Sequence, residues 1–411
     1  MTPRTILYTG KGGVGKTSVA AATALSIADR GLRTVVLSTD AAHSLSDSLE
    51  TELAAQPTPV ADNLWGQEVQ AETEMERNWH AVQRWLGSLL ADRGVDRIMA
   101  EELTVPPGMD EIFSLLQLKQ HVESGEFDVI VVDCAPTGET LRLLSFPDVA
   151  RWWLEKVFPW EKRLVSAARP IAKTFLDIPL PSSDVFADVQ RLVQNLIAMN
   201  EILRDHAHAS IRLVMNPERM VIKEAQRTFT YLNLYGYLTD AVIVNRVFPA
   251  DVEGGYFSAW RDVQQQHIEL VEQAFAPVPV LQCPFFEQEA VGPAMLERVS
   301  GEVFTDRDPQ ALLYEDLSQE LTMSEADAQL RLRIPFVEKA EIELKKIGLE
   351  LVVRVGPYKR NIILPSAMAP YRPREAKFSN DALTIGFTRD ELAGQAEANG
   401  RSTITASQQT A

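Results

Sequence analysis

"TILYTGKGGVGKTS", residues 5–18, decides how the chain is read. Thr5 to Thr9 is a short apolar run of the kind that makes a buried strand. From Lys16 onward, "KTSVAAATALSIADRG" is rich in alanine, with Leu25 and Ile27, and favours a helix stopped at Gly31. Strand, glycine-rich turn and helix start together are the setting of a phosphate-binding loop. Gly10, Gly12, Gly13 and Gly15, with Val14 among them, let the backbone curl so that several N–H groups point inward. The helix start, through Ser18, adds a favourable field for an anion. Lys16 is placed to reach the β and γ phosphates, and the Thr17 hydroxyl to ligate Mg²⁺. The expectation is a nucleoside triphosphate site.

Composition narrows the rest. The chain has 411 residues, enough for two domains or more, and 45% hydrophobic with 24% charged residues describes a globular protein. Its 57 acidic against 40 basic side chains give a formal charge of −17, which disfavours nucleic acid as a partner. Two cysteines, Cys134 and Cys283, suggest no disulfide framework and fit a reducing, cytoplasmic setting. The first strand begins at once, without a targeting segment, and no run of apolar residues is long enough to span a membrane.

Further β-branched runs recur along the chain: Thr34–Thr39, Phe127–Asp133, Ile211–Met215, Ala241–Asn245 and Val278–Gln282. Helical patterns lie between them, so the fold class is α/β, with a mostly parallel, doubly wound sheet covered on both faces. Ligands of such sheets bind at the carboxyl ends of the strands. Two helical insertions, at about 72–125 and 147–205, carry apolar residues at three- and four-residue spacing, among them Trp79, Leu86, Leu115, Leu118, Val185, Leu192 and Leu196. Those faces either cover the core or form a groove for a hydrophobic client; spacing does not separate the two.

Beyond an acidic stretch at Asp306–Gln329 the period changes to two: Leu330, Leu332 and Ile334, then Leu351, Val353 and Val355, then Leu383, Ile385 and Phe387. Short alternating runs broken by glycine and proline predict a small antiparallel β-sandwich over residues 323–390, after a first domain of residues 1–322. Residues 391–411 lack an apolar stripe and are expected to be a disordered polar tail.

The strand ends carry the chemistry. Asp40, in "STDAAHSLSD" after the second run, is placed to orient a hydrolytic water in line with a γ phosphate. Asp133, opening "DCAPTGETLRLL", can hold Mg²⁺ through water, and the Asn245 amide can pair with an adenine edge.

The loop with its second lysine, Lys11, resembles the deviant Walker A signature. Together, "GKGGVGKTS", "STDAAHSLSD", "PPGMDE", "DCAPTGETLR" and "VIVNRV" resemble the arsenical-pump ATPases and their eukaryotic relatives that target tail-anchored membrane proteins. The resemblance spans roughly the first three quarters of the chain. It implies a P-loop ATPase acting as a homodimer, with Lys11 crossing to the partner's nucleotide. By the same match Lys16 is the phosphate lysine, Thr17 the Mg²⁺ ligand and Asp40 the water-orienting residue. Asp133 is the second switch carboxylate, Asn245 the adenine contact, and Pro284 the start of an adenine loop.

Three departures stand out. Glu139 replaces the usual histidine of the second switch. No Cys-x-x-Cys is present, so no zinc is expected. The arsenite enzyme uses clustered cysteine thiolates on a fused tandem of two halves, which one ATPase half with two separated cysteines does not match. The C-terminal stretches "GLELVVRVGPYKRNIILP" and "EAKFSNDALTIGF" resemble the α-crystallin domain of small heat-shock proteins, with Asn380–Asp381 in place of the usual Asn-Gly. The resemblance implies Mg²⁺-dependent ATP hydrolysis that opens and closes a homodimer around hydrophobic helical membrane-protein clients, with a membrane receptor as a possible further partner. The alternatives are an anion or arsenite efflux-pump subunit, and an ATP-switched holdase that uses the sandwich.

Overall fold

The computed structural model describes residues 2–39, 44–69, 84, 109–134, 183–250, 255–316, 319–324, 326–356, 358–389 and 402–404. Asp40, Glu139, Trp79, Leu86 and most of the two helical insertions lie outside these residues. The chain divides into two compact units, Met1–Ala209 with Phe286–Ala311 and Ser210–Phe285 with Leu312–Ala411. Among the described residues the first unit holds five strands of mostly parallel sheet, and the second holds three more.

In the first unit the strand order is β3-β4-β2-β5-β1, with β1 Arg4–Thr9, β2 Thr34–Ser38, β3 Thr58–Ala61, β4 Leu64–Glu68 and β5 Val129–Asp133. All pair in parallel except the edge strand β3, which runs antiparallel to β4. β2 and β5 are buried at every position, as strands covered on both faces must be. Helix α1 (Lys16–Ala28) is buried along most of its length. Its alanines follow from that: between the sheet and α7 (Pro293–Phe304) there is room for a methyl group and little more. The buried Tyr8 hydroxyl meets Thr23 Oγ1 at 2.6 Å, joining β1 to α1.

The helices α2 (Ser44–Leu49), α3 (Met109–Ser124) and α4 (Ser183–Leu203) complete the unit. The described parts of the two insertions answer the choice between core and groove locally. Leu115, Leu116 and Leu118 of α3, and Val185, Leu192, Val193, Leu196 and Leu203 of α4, are buried, and the two helices pack together.

His121 of α3 is buried, with Nε2 2.6 Å from Gln67 Oε1 and its ring edge-on to Phe127, which meets Trp65 in the same way. Burial lowers its pKa from 6.5 to about 4. The folded state therefore holds fewer protons than the unfolded chain between those values, so stability is present above pH 6.5 and is lost as pH falls toward 4. His121→Gln is expected to remove about 1–3 kcal/mol of that pH dependence, read as the difference between urea midpoints at pH 7 and pH 4.5 for the two proteins.

The second unit holds β6 (Ala209–Met215), β7 (Thr239–Val247) and β8 (Val280–Pro284), parallel and in that order, with α5 (Arg219–Tyr235) and α6 (Gly255–Phe275). Arg212 of β6 and Asp240 of β7 form an ion pair fully removed from solvent, at 3.4 Å, and Asp240 Oδ2 also accepts the Leu313 N–H at 3.3 Å.

The same unit carries the sandwich: one four-stranded sheet β14-β15-β10-β9 and another β13-β12-β11-β16. These strands are β9 Gln319–Met323, β10 Asp327–Arg333, β11 Ile342–Ile347, β12 Glu350–Val355, β13 Tyr358–Ile363, β14 Tyr371–Ser379, β15 Ala382–Arg389 and β16 Ser402–Ile404. The residues of period two, Leu330, Leu332, Ile334, Leu351, Val353, Leu383, Ile385 and Phe387, form its core. β9 begins ahead of the boundary at 323, and β16 lies inside the segment expected to be a disordered polar tail, where it pairs with β11. The β14–β15 hairpin turns through Asn380 and Asp381 with φ of 51° and 56°, so an aspartate adopts the left-handed backbone that glycine takes more readily.

The sandwich is seated on α5. Leu234 belongs to the sandwich core, Thr230 Oγ1 donates to Pro335 O at 2.5 Å, and the Tyr231 and Tyr358 rings meet at a tilt of 35°. The buried Arg360 guanidinium donates to Leu234 O and lies against Gly236, where a Cβ would come within 2.9 Å of Nη2.

Candidate active site

The loop between β1 and α1 is built as its glycines require. Gly13 and Gly15 have φ of 79° and 89°, a backbone that L side chains rarely adopt, and buried Val14 pins the loop between them. Gly15 is the N-cap of α1 and supplies no side-chain acceptor, so the first-turn amides point into the loop without a side-chain cap. Lys16 is only 6% exposed and its Nζ donates to the Lys11 carbonyl at 3.3 Å. The ammonium thus lies across the mouth of the curl, where a phosphate oxygen would compete for it.

Thr17 Oγ1 donates to Asp133 Oδ2 at 2.7 Å, and Ser44 Oγ, at the start of α2, lies 3.3 Å from Thr17 Oγ1. A hydroxyl and a buried carboxylate are hard oxygen donors suited to Mg²⁺, which binds through one or two protein oxygens and takes the rest from phosphates and water. Among the described residues no group of three or more histidine, cysteine or acidic side chains is arranged to hold a metal by itself.

The first unit therefore brings Lys11, Lys16, Thr17 and Asp133 together. In the second unit Asn245 lies toward the end of β7, where its Oδ1 accepts the Arg246 N–H at 2.9 Å. Pro284 ends β8 in register with Val247, and beyond it half-exposed Phe285 meets Phe248 edge-on. Asn245 and Pro284 thus stand on neighbouring strand ends. Cys134 and Cys283 are both buried, and burial pushes the Cys134 thiol well above its ordinary value, with the Asp133 charge adding to it.

Two residues escaped the motif reading. Ser44 lies within "STDAAHSLSD", where its hydroxyl carries no signal of its own beside Asp40. Glu68 ends β4, a strand too short and too polar ("LWGQE") to register as an apolar run. The polar end of that strand was the available signal.

The chain matches the family model described as an anion-transporting ATPase over residues 3–305, and that of an HSP20-like domain found in ArsA over residues 325–387. It is 39% identical over 387 residues to a putative arsenical pump-driving ATPase of Chlorobaculum tepidum, covering 93% of this chain and 96% of that one. A putative arsenical pump-driving ATPase 1 of Aquifex aeolicus is 36% identical over 392 residues, covering 93% and 99%. An ATPase ASNA1 homolog 1 of Paramecium tetraurelia is 26% identical over 292 residues, covering 70% of this chain and 88% of its own. With a P-loop of this geometry and a family match over most of its length, the chain belongs to the anion-transporting ATPase family and is an ATP hydrolase with an HSP20-like C-terminal domain.

Proposed function

We propose that this ATPase is a Mg²⁺-dependent, homodimeric, cytoplasmic targeting factor or chaperone whose nucleotide cycle binds and releases hydrophobic helical membrane-protein clients. Lys16 and the loop amides of residues 10–18 would neutralise the phosphates, and Lys11 would act across the dimer. Thr17, with Asp133 through water, would hold Mg²⁺, whose charge draws electron density from the phosphoryl oxygens when bound. Asp40 would orient the attacking water, with Asn245 and Pro284 at the base. No zinc site is part of this reading.

The observation that favours this over metalloid transport is the state of the cysteines. Arsenite and antimonite need exposed, clustered thiolates. Here Cys134 is buried in the first unit with its thiol held protonated, and Cys283 is buried in the second. Among the described residues no helix is long and apolar enough to cross a membrane.

Asp40→Asn provides the test, because it should retain ATP while hydrolysing it slowly. With ATP, the purified variant is expected to form a stable complex with a soluble domain carrying one C-terminal apolar helix. Lys16→Ala should form none, and antimonite should leave wild-type ATP turnover unchanged. Absence of the complex together with antimonite stimulation would instead establish the efflux reading.

A further inference from the structure

Four strand ends of the first unit stand in one row. Tyr8 of β1, Asp133 of β5, Ser38 of β2 and Glu68 of β4 are register partners from strand to strand. Two of them are buried carboxylates on either side of β2, roughly 10 Å apart by ordinary strand spacing. Each takes hold of the first turn of a different helix. Asp133 accepts from Thr17 of α1, and Glu68 Oε1 accepts the Ser46 N–H of α2 at 2.9 Å.

Neither serine of this first turn takes that amide: Ser46 Oγ receives the Leu53 N–H at 3.3 Å, and Ser44 Oγ is turned to Thr17 Oγ1. Glu68, 6% exposed, supplies an acceptor for the Ser46 N–H from a different strand. A carboxylate this buried is costly unless it is hydrogen-bonded, and the Ser46 amide is one of the donors that hold it. The geometry points to Glu68 as a positioning residue for ATP hydrolysis. By fixing the first turn of α2, it holds the Ser44 hydroxyl beside the Thr17–Asp133 pair, on the cation side of the phosphate loop. This rests on the reading of Thr17 and Asp133 as the Mg²⁺ site.

The test is a double-mutant cycle on the full chain, read by kcat, by the Mg²⁺ concentration for half-maximal rate, and by how far Mg²⁺ tightens ADP binding at equilibrium. Glu68→Ala and Ser44→Ala are each expected to raise the Mg²⁺ requirement about tenfold and lower kcat about 10–30-fold, the scale of a small misplacement near the reacting groups. Because both act through one contact, the double variant should be no worse than either single one. Glu68→Gln, which keeps an oxygen acceptor of the same reach, should retain the wild-type Mg²⁺ response. Should Glu68→Ala fail to fold, Glu68→Asp, which keeps the charge but shortens the reach, takes its place in the cycle.

Additive effects, or a fall in kcat with the Mg²⁺ response of ADP binding unmoved, would reduce Glu68 to a fold-stabilising cap and overturn the proposal. Thr17→Ala separates the two readings. If it abolishes the Mg²⁺ effect on ADP binding while Glu68 and Ser44 fail to couple, only the role of Glu68 falls. If it leaves that effect intact, the cation-site reading falls and this proposal with it.

Discussion

Lys16→Ala is expected to lower ATP turnover about 10³-fold, on the scale of removing a preorganised charge donor from a transferring phosphoryl group. Few changes elsewhere in the chain should approach it. Lys16 is buried across the mouth of the loop, and its ammonium donates to the Lys11 carbonyl. A donor already in place needs little reorganisation when charge develops on the phosphoryl oxygens. Steady-state hydrolysis with calorimetric ADP binding checks this. A drop of less than about tenfold in kcat, well short of what one such donor supplies, would mean that Lys16 is a structural latch on Lys11.

The second large effect concerns stability. Asp240→Ala is expected to destabilise the second unit by about 3–5 kcal/mol, because it removes a charge partner from the fully buried Arg212 guanidinium. Arg212 and Asp240 are both fully buried, and the same carboxylate receives the Leu313 amide, so the substitution removes an acceptor from two donors. The paired exchange Arg212→Met with Asp240→Leu should recover most of that loss, since a buried ion pair often contributes little net stability over apolar groups of similar size. Urea unfolding followed on the second unit measures both. If the single and paired variants unfold at the same midpoint, the destabilisation comes from backbone disturbance and not from an uncompensated charge.

The phosphate loop was legible because its chemistry is local: glycines, lysine and threonine act within nine consecutive residues, between a strand and a helix the same stretch specifies. The sandwich was legible for a similar reason. Alternation from Leu330 to Ile334 and from Leu383 to Phe387 assigns a buried face strand by strand, and the core is made of those residues. What stayed hidden depends on register between distant segments. Arg212 sits inside the apolar run "IRLVM" and Asp240 just before "AVIVN", and only the β6–β7 pairing shows that each neutralises the other. Glu68 becomes meaningful only once β4 is aligned with β2, which puts it in the row of Asp133. Apolar spacing on α3 and α4 could not by itself tell a core face from a groove; burial of Leu116 and Leu196 decides it for those two helices.

The seat of the sandwich on α5 bears on how such a chain can change over generations. Leu234 belongs to the core of the appended module, Gly236 leaves room for Arg360, and the Thr230 hydroxyl donates a hydrogen bond to the Pro335 carbonyl. Deleting the module therefore does not leave a finished surface: it bares an apolar, glycine-capped helix end that water penalises. Loss of the module and a rewritten face of α5 have to come together.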